Sequence, residues 1–312
     1  MPFKIPPILA TLVQSALLIF FIVSPGTAAN PPRVAVTIKP IHSLVAGVMD
    51  GISVGNGNPY LVVRGVRSPH DFTLTPSGAR QLQSAQVIFM IGAGLEPALN
   101  TAIKTLGAGA RIVELSHAPG IQLLNVRDSS LPVDQHSQHD TIDPHIWLDP
   151  INAKAMVRMI AKTMREADPV NGARYVANSR DLLQRLDILS ATLTAQLKPV
   201  KHKPFIAFHD AFQYFENRFE LHAASTITVS PHISPSVTRI IRIQKLIRQT
   251  SGICIFNEPG YQPKLINVLK QNASVRIGML TPLGVDLNPG PALYFELMRR
   301  NAQAIYDCLG TR

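Results

Sequence analysis

Acidic side chains are scarce in this chain. Its 312 residues hold 20 Asp and Glu against 30 Lys and Arg, a formal net charge of +10. A basic balance invites a nucleic-acid reading, and further scarcities argue against it. The Lys and Arg residues are scattered with no run of five or six, and one Trp and six Tyr offer few platforms for stacked bases. The expectation is a basic solvated surface and no nucleic-acid partner. Charged residues make up only 16% of the chain and apolar ones 46%, which excludes a disordered chain and leaves ample material for a core. The length suits two ordinary domains or one large one.

Residues 1–29 contain no acid and a single cation, Lys4. An apolar stretch, 8–23, follows it, and then Ser24-Pro25-Gly26-Thr27-Ala28-Ala29. A basic start, an apolar middle and small residues at the end describe a cleavable secretory signal, cut after Ala29, and hence an exported protein. The alternative is a retained anchor, since the stretch approaches the ~18 residues of a spanning helix. No Cys stands near the cut, which argues against a lipid-modified N-terminus, and no later segment is apolar for long enough to span a membrane. Cysteine is limited to Cys254 and Cys308. In an exported protein that pair suggests one disulfide, worth about 3–4 kcal/mol; two buried free thiols are the alternative.

What is present is an alternation. Apolar runs at 34–38, 60–63, 86–91 and 111–115 read as strands, with helical patterns at 41–49, from Thr75-Pro76, and at 96–106. Strands alternating with helices predict parallel sheet. Asp168-Pro169 then caps a long helical segment, 170–197, with Tyr175, Leu182, Leu183, Leu186, Leu189, Leu193 and Leu197 at helical spacing. The alternation restarts with strands at 204–208, 225–229, 253–256 and 275–280, and a closing helix at 294–309. Ser68-Pro69-His70 and Ser230-Pro231-His232 echo one another. The expected organisation is a signal, 1–29; an α/β lobe, 30–167; a linking helix, 168–200; and a similar α/β lobe, 201–312.

Ligands of open α/β sheets bind beyond the carboxyl ends of the strands. His70, His145 and His209 each lead from a strand or loop towards a helix. Three converging imidazoles would make a divalent-metal site. For each alone, a histidine satisfied by ordinary hydrogen bonds is the bland alternative.

The motifs SPHDF (68–72), PHIWLDP (144–150), FHDAFQYF (208–215) and FNEPGYQP (256–263), with SVRIGMLTPLG (274–284), resemble the ZnuA-type zinc-binding proteins. These are periplasmic solute-binding components of ABC transporters. The resemblance covers residues 34–309. It implies two α/β lobes, one long backbone helix, and a metal held in the cleft between lobes by His70, His145 and His209. It also implies a Cys254–Cys308 disulfide, zinc as the transported ligand, a membrane permease as partner, a monomer and no enzymatic activity.

The chain departs from that pattern in places. The acid- and His-rich loop before the second ligand is reduced to DQHSQHD (134–140), with His136 and His139 as accessory metal residues. Thr281 replaces the acid of a DPLG motif, which leaves the fourth ligand open between water, Glu258 or another group. His232 stands where relatives often have an acid and is not counted among the ligands. Asp71, Asp149 and Asp210 are candidates to orient a ligand imidazole, with helix capping the better reading for Asp149. Three imidazoles plus water suit zinc, whereas manganese favours oxygen ligands. A manganese or iron carrier of the same fold is the alternative. A secreted zinc hydrolase is a further one, weakened by the absence of a His-Glu-x-x-His helix.

Overall fold

The computed structural model describes Met1 and residues 30–52, 58–65, 68–127, 142–228, 234–261, 263–270 and 274–310. The expected signal therefore lies outside the described residues, as do His136, His139 and His232. Contacts divide the chain into Met1–Asn30 and Pro31–Arg312. All the strands and helices among the described residues fall in the second unit.

Two parallel sheets of four strands share one topology. β1 (Val34–Val36), β2 (Tyr60–Leu61), β3 (Val87–Met90) and β4 (Arg111–Glu114) pair in the order β2-β1-β3-β4. β5 (Pro204–His209), β6 (His222–Thr228), β7 (Cys254–Asn257) and β8 (Arg276–Met279) pair in the order β6-β5-β7-β8. Every pairing is parallel. The central strands are apolar without alternation, VAV in β1 and VIFM in β3, because helices cover both faces. In each sheet the strand order reverses, between β1 and β3 and between β5 and β7, which opens a crevice at the strand ends.

The crossovers are α1 (Lys39–Val48), α2 (Pro76–Ser84) and α3 (Pro97–Leu106) in the first half, and α6 (Gln213–Phe219), α7 (Val237–Gln249) and α8 (Pro263–Lys270) in the second. Between them lie α4 (Pro150–Ala167) and α5 (Gly172–Leu197). Asp149 caps α4 by accepting from the Ile151 N–H, and Pro150 occupies its first turn. A 3-10 turn, Pro169–Asn171, leads into α5, with Asp168 accepting from Asn171 and from the Tyr175 hydroxyl. The 26 residues of α5 span roughly 39 Å. Tyr175, Leu182, Leu186, Leu189, Leu193 and Leu197 form its buried stripe, and Leu183 is only half-buried at the stripe's edge. One apolar core runs from β1 and α1 through α4 and α5 to β5, β7 and the closing helix α9 (Leu293–Gly310).

The second strand is shorter than the expected 60–63. Pairing still continues past it, since Val62 and Val63 donate to the Val36 and Thr37 carbonyls. β6 begins earlier than expected, at His222, and its register on β5 shifts between Phe205 and Ile206. Cys254 in β7 and Cys308 in α9 form a disulfide with their Cα atoms 6.1 Å apart, which pins α9 to the second sheet.

Candidate metal centre

His70 sits in a 3-10 turn, Pro69–Asp71, beyond β2. Ser68 is extended and its Oγ accepts from the His70 N–H, so the turn starts where the proline allows it. His145 stands ahead of a second 3-10 turn, Ile146–Leu148, that runs into α4. Asp143 Oδ1 accepts from both the His145 backbone N–H, at 3.0 Å, and its Nδ1–H, at 2.7 Å. The Tyr214 hydroxyl in turn donates to the Asp143 carbonyl. His209 is the last residue of β5, and its Nδ1 meets Glu258 Oε2 at 2.5 Å. Glu258 follows β7, the neighbour of β5, so the sheet itself delivers it.

The three rings converge. His145 lies 5.5 Å from His70 and 5.4 Å from His209 between ring centroids. One ligand nitrogen from each residue lies within 4.8 Å of the others, the one group of three or more His, Cys, Asp or Glu so arranged among the described residues. His145 and His209 are buried, 5% and 3% exposed. With their Nδ1 atoms tied to carboxylates, both present Nε2 as the electron-pair donor, and Nε2 of His209 is buried without a partner. Burial alone would push the His209 imidazolium towards its neutral form, but the negative charges of Glu258, Asp210 and Asp143 more than offset this, so its pKa lies above the ordinary value. A divalent cation would take the place of that proton.

The free space among the rings is about 20 Å³, room for one small ion. Its walls are largely apolar: Leu95, Trp147, Pro282, Leu283 and Val285. Tyr261 closes one side, hydrogen-bonded to Ser68, and burial beside Glu258 pushes its phenol up to about 12. The opposite wall is held from behind. Trp147 Nε1 donates to the Pro282 carbonyl at 2.8 Å, and the Lys39 ammonium donates to the carbonyls of Gly284, Val285 and Leu287. Thr281 Oγ1 accepts from the Gly284 N–H.

The structure therefore brings together His70, His145 and His209. Of the candidate orienting carboxylates, the Asp71 side chain lies outside the described residues, Asp149 follows its better reading as a helix cap, and Asp210 is engaged elsewhere. Asp149 caps α4 and pairs with Arg218, and Asp210 pairs with Arg127. Asp143 and Glu258 hold the rings instead. Asp143 was legible as the first residue of Asp-Pro-His, a two-residue step that lets a carboxylate reach the following backbone N–H. Glu258 faces His209 and is committed to it through one carboxylate oxygen.

Comparison with known proteins agrees on the family and the fold. Residues 34–308 match the family model ZnuA, described as zinc-uptake complex component A, periplasmic. The high-affinity zinc uptake system protein ZnuA of Brucella abortus (strain 2308) is 40% identical over 315 residues, covering 90% of this chain and 93% of the relative. Its counterpart in Paracoccus denitrificans is 31% identical, covering 91% and 95%. The solved periplasmic zinc-binding protein TroA of Treponema pallidum superposes with a TM-score of 0.76 over 89% of this chain and 99% of its own, at 21% identity, a likeness of fold. The chain belongs to the ZnuA family of periplasmic zinc-uptake components.

Proposed function

We propose that this protein is the zinc-capturing component of an ABC-type uptake system, binding one Zn²⁺ through His70, His145 and His209 and passing it to a membrane permease. The observation that carries this reading is the convergence of three imidazole nitrogens within 4.8 Å, two of the rings tied at Nδ1 to buried carboxylates. Three imidazole nitrogens in a small, largely apolar pocket suit zinc's tetrahedral preference, with water as the fourth ligand. Family membership supplies the transport setting and the periplasmic location. The protein in this reading is a carrier and not a catalyst. Residues 30–167 and 201–312 act as two lobes joined by 168–200, and residues 1–29 as the export signal. Protons compete for the same nitrogens, so affinity falls as pH drops into the imidazole range, with competition at His209 beginning above its ordinary value. His136 and His139 serve capture or weak accessory binding.

The test is metal analysis of the chain from residue 30 onward, with competitive titration against zinc, manganese, nickel and copper. His209→Ala should weaken zinc binding by orders of magnitude; near-unchanged binding would overturn the assignment. Replacing His136 and His139 with Ser should leave the tight site intact. Tighter binding of manganese than zinc would shift the cargo to the manganese class.

A further inference from the structure

Residues 221–285 carry seven Lys and Arg and a single acid, Glu258. Glu258 is buried against His209. The stretch thus supplies seven minus one, +6, of the chain's net +10. Arg239 is tethered to Thr226 and Arg276 to the Gly252 carbonyl. Arg242, Lys245 and Arg248 of α7 are exposed, as is Lys270 of α8.

Aliphatic side chains are interleaved with these cations. Val237 and Ile241 of α7 are 74% and 57% exposed, on the outward stripe that Lys245 and Arg248 continue at helical spacing. The inward side of α7 buries Ile243 and Ile247. α8 packs beside it, with Gln244 Nε2 donating to the Val268 carbonyl, and leaves Val268 exposed. At the sheet edge, β8 exposes Ile277 and Met279. These lie on the sheet face that carries α7 and α8. Ile277 pairs in register with Ile255, a member of the core beneath those helices, whereas Phe256 belongs to the core on the other side.

We infer that the α7–α8–β8 face docks on an anionic phospholipid surface. Exposed cations sharing a helix face with protruding aliphatic side chains make the pattern that seats a helix in the headgroup region of a membrane. The same face has none of the exposed Trp, Tyr or Phe that anchor protein interfaces, among the described residues. The attachment is peripheral, since no helix among the described residues is long and apolar enough to cross a bilayer. Being electrostatic in origin, it weakens with salt. This inference is independent of the cargo.

The test uses the chain from residue 30, because Pro31–Arg312 packs as its own unit and the apolar leader would itself enter lipid. Co-sedimentation is measured with vesicles of equal parts phosphatidylglycerol and phosphatidylcholine, and with phosphatidylcholine alone. Binding to the anionic vesicles should be stronger by about tenfold or more. The triple change Arg242→Gln, Lys245→Gln, Arg248→Gln should remove most of that preference, with zinc binding unchanged. The control Arg80→Gln, Lys104→Gln, Arg180→Gln removes three exposed cations from the first half and α5, and should cost less than about threefold. No preference for anionic vesicles, or equal losses in the two triple variants, would overturn the inference. So would unchanged vesicle binding in the α7 variant together with lost association with the permease, which would make the face a protein interface.

Discussion

The carboxylate of Glu258 grips Nδ1 of His209 at 2.5 Å across 49 residues of sequence. It thereby fixes which nitrogen of the ring faces the cavity. Glu258→Gln keeps an acceptor oxygen at that distance and removes the charge. Zinc affinity should fall by about 10–100-fold with the metal stoichiometry unchanged, as measured by chelator competition. An affinity equal to wild type would show that the carboxylate does not orient the ring.

Glu96 is another buried carboxylate, fully enclosed by the fold. It accepts from the Thr37 hydroxyl and from the Ile91 and Gly92 N–H groups. Burial nevertheless outweighs those bonds and pushes it up to about 7. Between about pH 4.5 and about 7 the folded protein keeps a proton that the unfolded chain has released. Stability should therefore decline as pH rises through that window and level off above it, by at most about 3 kcal/mol. Urea midpoints across the window check this. Glu96→Gln, which cannot titrate, should flatten the decline.

Gly278 in β8 lies under the ring of Phe256. An added Cβ would come within 2.4 Å of that ring, which is fully buried and packed edge-on to Phe205. Gly278→Ala should cost about 1–3 kcal/mol through overpacking, read as a lower denaturation midpoint at unchanged slope. The smaller Phe256→Leu side chain should recover part of that loss.

The Cys254–Cys308 bridge closes a loop of 54 residues of separation. Replacing both with Ala should lower stability by about 2–5 kcal/mol. Zinc stoichiometry should survive at temperatures where the variant is folded, because neither cysteine lines the pocket. Loss of the tight site in the folded variant would argue that the bridge positions Glu258 as well as α9.

Much of the architecture was legible because its causes are local. The apolar runs VAV and VIFM announce strands covered on both faces, and the Asp149-Pro150 cap announces α4. The leucine spacing of α5 encodes its buried stripe, save for Leu183 at the margin. The three histidines stood out as strand-to-helix junctions. Their orienting partners did not. Asp210 was a candidate for its adjacency in sequence, yet it is drawn off to Arg127, a cation contributed by a distant segment, while Asp149 caps α4 as its better reading had it. Glu258 reaches His209 only because β5 and β7 are neighbours in a sheet that places β6 on the other side, a fact of strand order that no local pattern encodes.

The Lys39 ammonium ends on the carbonyls of Gly284, Val285 and Leu287, and Ser43 Oγ accepts from the Tyr294 N–H, contacts that span 245 to 251 residues. A chain made from its N-terminus carries α1 through nearly all of its synthesis with those donors and acceptors unanswered. Closing so long a loop comes late in folding. The wall of Pro282, Leu283 and Val285 depends on those long-range contacts. A chain stopped before residue 282 would hold all three histidines yet lack the Pro282, Leu283 and Val285 wall of its binding pocket and the carbonyls that anchor Lys39.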